Sequence, residues 1–301
     1  MMDLSSPFGK LAHAMRHMQR LGDMQREYRE SNPIEYSHFH NTDYGRSPIL
    51  ATQWRVRKFE PLEDTWSYVS GDAINNMRSA LDHAMLLTAA RFRTLSSKDE
   101  RRVQYPIFTD GAKWEQWRQR NEYQLDEPTL DALEAVQPID DGSGEERALA
   151  LLNRLSNVDK HRRILTHTMS RPDVVVHVSP PMEVVFEKYA NEPMREGLTL
   201  ATVKFLRPQH SGTLDTHLDV EYYEVMSLDN GTMLPIALTM HVMFTAAFYA
   251  VAELLEPIAN ETDRWFVQQI EDNEKENLRK MLRSFMNEEA ATAFEATADT
   301  V

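Results

Sequence analysis

The sequence predicts an α+β protein of mostly α-helices, in which an antiparallel β-sheet is inserted before the last helix of a helical bundle. The low glycine count of 10 and the high methionine count of 16 in 301 residues favour helices over a turn-rich all-β fold. Three segments, near residues 8–30, 72–92 and 147–169, repeat apolar residues at helical spacing, and a fourth, near 235–256, is apolar nearly all round. Between the last two, β-branched and alternating runs separated by Pro, Gly and Asn predict strands.

The first helix and the first strand are predicted within residues 8–61. Leu and Met alternate with Arg and Gln over 8–30, and Asn32-Pro33 ends this helix because the residue before a proline disfavours helical backbone. Residues 34–48 show no periodicity and are predicted to be irregular. Over 49–61 apolar residues alternate with basic ones, which predicts a strand.

The middle of the chain is predicted to be helical. Asp72 is a good N-cap, so the second helix is predicted to span 72–92. Two short helices are predicted at 113–123 and 128–136, and a long helix follows at 147–169.

The sheet and the closing helices follow. Four runs are predicted to form an antiparallel sheet, at 174–177, 182–186, 198–206 and 217–225. The residues Asp229-Asn230-Gly231 predict a turn after the last of these strands. An apolar helix at 235–256 and an acidic helix at 263–286 complete the chain.

These elements divide the chain into three regions. They are a helical bundle with one or two short strands at 1–170, an antiparallel sheet insertion at 171–232, and a returning bundle helix with an acidic C-terminal helix at 233–301.

The returning helix is long enough to cross a bilayer, but His241 and Glu253 interrupt it and its flanks are acidic. A core helix is therefore favoured over a membrane span.

The first residues lack a basic region followed by an apolar run, so no signal peptide is predicted. We expect a cytoplasmic protein with no membrane partner.

The net charge of −14 is unevenly distributed. Residues 91–120 hold eight basic and four acidic residues, and residues 154–171 hold five basic residues and one acidic residue. The overall charge repels nucleic acid, but a local basic face attracts it. Residues 91–120 are interpreted either as a solvated face or, with Trp114 and Trp117 as stacking groups, as a nucleic-acid groove.

The absence of cysteine excludes disulfides, thiolate metal sites and a cysteine nucleophile.

Polar residues of the second predicted helix form one half of a candidate site. Arg78 and Asp82 lie four residues apart along one edge of its apolar face. His83 projects to the opposite side together with Asn76, and Asn75 is adjacent.

The helix predicted at 147–169 supplies the other half. Arg162 lies in the middle of its apolar face, where a guanidinium needs a carboxylate because it cannot lose its proton. Asp159 in the same helix and Asp82 in the second helix are the two candidate partners. We therefore predict a buried or half-buried ion pair of Arg162 that joins the two helices, either as a structural network or as part of a working site.

The segment RSALDH at Arg78–His83 resembles the Arg-x4–6-His motif of HEPN-like helical-bundle domains. The segment DKHR at Asp159–Arg162 resembles an element of uncharacterised bacterial proteins that carry a similar second helix. The resemblance covers residues 66–170. It implies a bundle that often dimerises and, in many members, a metal-independent ribonuclease of toxin–antitoxin and phage-defence systems, whereas other members are non-catalytic.

The resemblance also implies roles for individual residues. Arg78 and His83 would activate the ribose 2′-hydroxyl and stabilise the cleaving phosphate. The supporting residues would be Asn75, Asn76, Asp82, Asp159, His161 and Arg162.

Two functions are therefore expected. The first is a HEPN-like ribonuclease or defence effector that cleaves single-stranded RNA as a homo-oligomer, with no metal and no other cofactor. The alternative is a non-catalytic assembly protein whose bundle and sheet bind a protein partner. The apolar helix, the acidic C-terminal segment and the net charge of −14 favour this alternative.

Overall fold

The computed structural model describes residues 6–40, 49–121, 125–139, 144–179, 184–188, 192–206, 213–228, 230–256 and 259–272. Within these residues the chain is a mostly helical α+β protein with two antiparallel sheets. The helices are α1 (Pro7–Glu30), α2 (Asp64–Phe92), α3 (Ser97–Glu100), α4 (Gly111–Asn121), α5 (Glu127–Ala135), α6 (Gly144–His161), α7 (Ile236–Leu255) and α8 (261–272). The strands are β1 (Ile34–His40), β2 (Ile49–Phe59), β3 (Leu165–Ser179), β4 (Val184–Lys188), β5 (Thr199–Leu206), β6 (Thr213–Ser227) and β7 (Met233–Pro235).

Four helices agree with the sequence prediction to within two residues at each end, namely α1, α4, α5 and α7. The predicted acidic helix is confirmed as α8 over the part that the structure describes, where Phe266 and Ile270 are buried. Its predicted continuation to 286 lies outside the described residues.

The second helix begins earlier than predicted. α2 starts at Asp64, so the prediction that Asp72 caps its N-terminus is wrong. The two additional turns carry Trp66, Ser67, Ser70 and Gly71, all of which are buried. Burial of this segment outweighs the low helix propensity of Ser and Gly, because most helical stability in proteins comes from tertiary packing.

The long helix ends earlier than predicted. α6 stops at His161, and residues 165–169, which are predicted to belong to this helix, form the start of β3. β3 pairs antiparallel with β6 residue for residue, from Leu165↔Ser227 to Ser179↔Thr213. Residues four positions apart share one face in a helix and also in a strand, so the spacing of Leu165 and Met169 fits both structures.

The first sheet has the strand order β1-β2-β5-β4. The prediction of an irregular segment is wrong for residues 34–40, which form β1 and pair antiparallel with β2. Asn32 adopts a left-handed φ of +52°, and Pro33 follows it, so the chain leaves α1 and enters β1 directly. Because β2 also pairs with β5, this sheet combines N-terminal strands with strands of the predicted insertion.

The second sheet has the strand order β3-β6-β7. The turn predicted at 229–231 is confirmed by the residues that flank Asp229. Asp229 itself lies outside the described residues. Gly231 has a φ of +83° and its N–H donates to the carbonyl of Leu228 at 3.0 Å. The N–H of Leu228 donates to the carbonyl of Thr232 at 2.9 Å, which closes the turn.

The chain separates into two compact units. The first unit contains residues 1–12, 79–137 and 247–301, and the second contains residues 13–78 and 138–246. In the first unit, the ring of Phe266 lies 5.9 Å from that of Phe8 and 6.4 Å from that of Phe248, both in edge-on geometry. The second unit holds both sheets, whose hydrophobic cluster contains the buried residues Trp54, Val56, Met194, Leu198, Leu200, Ala201, Val203 and Leu218.

Among the residues that the structure describes, α7 is the one helix long and apolar enough to cross a membrane. Its most apolar window has a mean hydropathy of 1.5, and 61% of that window is buried inside the structure. Such burial is typical of the core helix of a soluble protein.

Candidate functional site

The structure brings together two of the predicted site residues where α2 meets α6. The side-chain amide of Asn75 donates to Oδ2 of Asp159 at 2.6 Å. The hydroxyl of Ser156 donates to Oδ1 of the same Asn75 at 3.4 Å. The two helices therefore meet through polar side chains, an amide and a carboxylate.

Gly71 permits this contact. A Cβ atom at position 71 would lie 2.5 Å from Oδ1 of Asp159, closer than real contacts allow. The absence of a side chain lets the carboxylate approach the backbone of α2. Asp159 is thus held between Gly71 and Asn75, and the arrangement joins the two helices.

The predicted ion pair of Arg162 is wrong. Arg162 is exposed, because α6 ends one residue before it and the helical phase that placed it on the apolar face no longer applies. The other candidate partner, Asp82, accepts the backbone N–H of Tyr105 at 2.9 Å. Asp159, the nearer candidate, contacts Asn75 instead of Arg162.

The remaining predicted residues lie in different environments. Arg78 is only 8% exposed and belongs to the second unit, whereas His83 is half-buried and belongs to the first unit. Each of these side chains interacts with another residue of the protein. Asn76 donates from Nδ2 to the carbonyl of Asp72 in its own helix at 2.8 Å. His161 is the last residue of α6, and its side chain lies outside the described ones. The catalytic pair Arg78 and His83 stays a prediction.

A cavity of about 580 Å³ lies where α6 ends and β3 begins, in the second unit. We call it the arginine cavity. Its lining residues come from α6, from the link between α6 and β3, from the first residue of β3, and from the last residue of β6 and the residue after it: Arg154, Asn157, Val158, Arg162, Arg163, Leu165, Ser227 and Leu228. The cavity forms here because Leu165 pairs with Ser227, which anchors the first residue of β3 beside the end of β6.

The arginine cavity suits an anionic ligand that also carries apolar surface. Arg162 makes no ion pair within the described chain, whereas Arg163 contacts Asp64 at 2.5 Å. The hydrogen bond that Arg163 donates to the carboxylate of Asp64 raises the pKa of the guanidinium, which therefore stays protonated. Guanidinium groups bind phosphate oxygens through paired N–H donors, and apolar lining residues such as Val158 can pack against the apolar part of such a ligand.

A second basic cavity, of about 260 Å³, belongs to the first unit. Arg93, Arg102, Trp117 and Asn121 are among its lining residues. Trp114 is only 3% exposed and stacks on Trp117, with ring centroids 5.2 Å apart and planes inclined by 22°. Trp117 therefore lines this cavity, whereas Trp114 is buried.

The sequence does not predict Arg154, Asn157 or Arg163 as site residues. The basic composition of residues 154–171 indicates that this segment is a candidate binding surface. It does not indicate which residues of the segment line a site. Within the described ranges, no group of three or more His, Asp or Glu side chains is arranged to hold a metal ion.

Comparisons with protein-family models, with curated proteins and with solved structures found no match to this chain.

Proposed function

We propose that this protein binds single-stranded RNA in the arginine cavity and acts in the cytoplasm as a HEPN-like, metal-independent ribonuclease. The observation that carries the RNA-binding part is the meeting of three arginines in one cavity of about 580 Å³. This volume falls within the roughly 300–1,000 Å³ of typical ligand sites. The ribonuclease part rests on the resemblance of Arg78–His83 to the HEPN motif.

Charge makes the arginine cavity the favoured RNA contact. With a net charge of −14, most of the protein surface repels a polyanion, so binding depends on a local cluster of cations. Phosphate contacts release counterions from the RNA, and the affinity therefore falls steeply with salt. Single-stranded RNA also exposes its bases, which the apolar lining of the cavity can contact.

The binding part is tested by titrating labelled single-stranded RNA against the protein and measuring fluorescence anisotropy. We expect Arg162→Glu to weaken binding by about tenfold and to reduce the slope of log affinity against log salt by about one. The matched control is Arg195→Glu, which makes the same charge change at an exposed residue of the second unit outside the cavity. Equal affinities of the two variants would contradict RNA binding in the arginine cavity.

The cleavage part is tested separately, with labelled RNA in the presence of EDTA. We expect the wild type to cleave, and Arg78→Ala and His83→Ala each to abolish cleavage while RNA binding persists. Arg91→Ala is the matched control, because Arg91 is an exposed arginine of the same helix. Absence of cleavage in the wild type, or cleavage that survives both substitutions, would exclude the nuclease and leave an RNA-binding protein.

A second candidate function, assembly with another copy of this chain, is favoured by exposed aromatic residues of the first unit. Trp265 of α8 is 62% exposed and Tyr249 of α7 is 43% exposed. Large aromatic side chains are enriched in protein interfaces. Light scattering of the wild-type protein should give a molar mass above the 34.9 kDa of one chain. The substitution Trp265→Ser should lower this molar mass. A monomeric wild type would contradict this function.

A further inference from the structure

A cavity of about 240 Å³ in the second unit carries a chemistry different from that of the arginine cavity. Most of its lining is apolar and includes Met18, Leu21, Trp66 and Met240. Glu224 of β6 is the acidic residue among its lining residues. We call it the Glu224 cavity.

Glu224 has a buried carboxylate in which one oxygen accepts no hydrogen bond from the described residues. Its side chain is 1% exposed. Its Oε2 accepts a hydrogen bond from the side-chain amide of Gln25 and lies 3.4 Å from Nη2 of Arg29. Its Oε1 is also buried and has no hydrogen-bond partner within the described residues. A buried carboxylate oxygen without a donor costs free energy, and a bound group that donates a hydrogen bond to it would remove this cost.

The carboxylate is fixed in its orientation. Gln25 and Arg29 are four residues apart, on one face of α1, and both reach the same oxygen. The guanidinium of Arg29 also lies over the ring of Tyr222, 5.9 Å from its centroid. Because Oε2 is occupied from α1, Oε1 is the oxygen that remains for a ligand.

We propose that the Glu224 cavity binds a small organic ammonium ion with an apolar body. An N–H of the ammonium group donates to Oε1 of Glu224, and the apolar part packs against Trp66 and Met240. A carboxylate favours a cationic donor over a neutral one, and the indole of Trp66 offers a second attraction for a cation. A metal ion is disfavoured because hard cations need several oxygen ligands, whereas most lining residues of this cavity are apolar.

The size of the cavity limits the ligand. Its volume of about 240 Å³ corresponds to about eight water molecules at roughly 30 Å³ each. An apolar cavity of about 150 Å³ holds benzene, so an aromatic ring with one aminomethyl group fits here. Benzylammonium is therefore a suitable probe, with benzyl alcohol as its neutral counterpart and benzoate as its anionic counterpart.

The experiment is isothermal titration calorimetry of the full chain with these three probes. We expect saturable binding of one benzylammonium per chain, benzyl alcohol binding at least about tenfold more weakly, and no binding of benzoate. Glu224→Gln, which keeps the shape of the side chain, should weaken benzylammonium by about tenfold. Glu221→Gln is the matched control, because Glu221 lies on the same strand and is exposed.

A second variant tests the site without altering the carboxylate. Gly22 lines the cavity, and a Cβ atom there would meet nothing within 4 Å, so Gly22→Met extends a side chain into open space beside the cavity. We expect Gly22→Met to abolish benzylammonium binding and Gly22→Ala to retain it. Absence of binding to the wild type, which leaves a water molecule as the donor to Oε1, would overturn the proposal. Equal affinity for benzyl alcohol, or unchanged affinity in folded Glu224→Gln or in Gly22→Met, would overturn it as well.

Discussion

The contact between α2 and α6 depends on the absence of a side chain at Gly71. Its missing side chain makes room for Asp159, whose carboxylate atoms would all lie within 2.8 Å of a Cβ at this position. The carboxylate cannot swing away without losing the hydrogen bond from Asn75. A glycine inside a helix is otherwise unfavourable, so position 71 accepts a local penalty for a contact between two helices.

We predict that Gly71→Ala lowers the free energy of unfolding by about 1 kcal/mol. Loss of a hydrogen bond to a charged group costs about 1.5–3 kcal/mol, and the better helix propensity of alanine offsets about 1 kcal/mol of it. Gly22→Ala is the matched control in α1, where a Cβ meets nothing within 4 Å. It should raise the free energy of unfolding by about 0.5–1 kcal/mol. Denaturant unfolding measures both, and a change of the same sign in both variants would contradict the prediction.

Tyr28 makes the stability of the protein sensitive to alkaline pH. Its hydroxyl donates to the carbonyl of Glu60 at 2.6 Å and lies 3.1 Å from Oγ1 of Thr168. Burial raises the pKa of Tyr28 from 10.0 to about 12. Because the folded pKa lies above the unfolded one, the contribution of the neutral phenol to stability is complete below pH 10 and is lost as the pH rises to about 12.

We therefore predict that the free energy of unfolding falls between pH 10 and about 12, and falls less in Tyr28→Phe. Denaturant unfolding at a series of pH values measures the difference between the two proteins. Tyr249→Phe, a change at a tyrosine that is 43% exposed, serves as the control and should follow the wild type. Parallel curves for the wild type and Tyr28→Phe would show that Tyr28 does not titrate in this range.

At the scale of elements, one arginine joins α4 to α5 in the first unit. Arg118 of α4 contacts three carboxylates of α5, those of Glu127, Asp131 and Glu134, and the distance to Asp131 is 2.8 Å. These acidic residues follow one another at helical spacing, so one face of α5 presents all of them to the same guanidinium.

We predict that Arg118→Ala lowers the free energy of unfolding by about 1 kcal/mol, at the upper end for surface ion pairs, because several charges share the interaction. Raising the salt concentration should shrink the difference, because salt screens exposed charges. Lys113→Ala, which removes an exposed cation of α4 that lies 4.0 Å from Asp110, should change stability by only a few tenths of a kcal/mol. A salt-independent loss in Arg118→Ala would indicate lost packing instead of lost charge.

Elements with local signals could be predicted from the sequence, and elements that depend on distant pairing could not. Asn32-Pro33 marks the end of α1 within the chain itself, and this end is confirmed. The start of β3 depends on β6, whose paired residues lie about 60 positions away in the case of Leu165 and Ser227. β1 depends in the same way on β2, and its residues show no alternation strong enough to predict a strand.

The candidate site follows the same rule. Asn75, a supporting residue by the resemblance, and Asp159, a candidate partner of Arg162, both lie within segments that the sequence predicts to be helical, and they contact each other. The burial predicted for Arg162 failed because the helix ends before that residue. Arg154 and Arg163 line one cavity because the chain turns from α6 into β3, and the sequence does not show this turn.

At the scale of the whole molecule, the distribution of charge favours different ligands at the arginine cavity and at the Glu224 cavity. The chain carries a net charge of −14, yet three arginines line one cavity and a buried carboxylate lines another. A polyanion is repelled by most of the surface and attracted by the arginine cavity, so we expect RNA to bind in a restricted place. A small cation is attracted by the overall charge, which favours the ligand class proposed for the Glu224 cavity.

The most direct test of RNA binding in the arginine cavity is to map where RNA contacts the protein. Single-stranded RNA that carries a photoreactive uridine is crosslinked to the full chain, and the modified peptides are identified by mass spectrometry. We predict crosslinks within residues 154–165 and at Ser227-Leu228, which are lost in Arg162→Glu and retained in Arg195→Glu. Crosslinks confined to other segments, or none above background, would contradict RNA binding in this cavity.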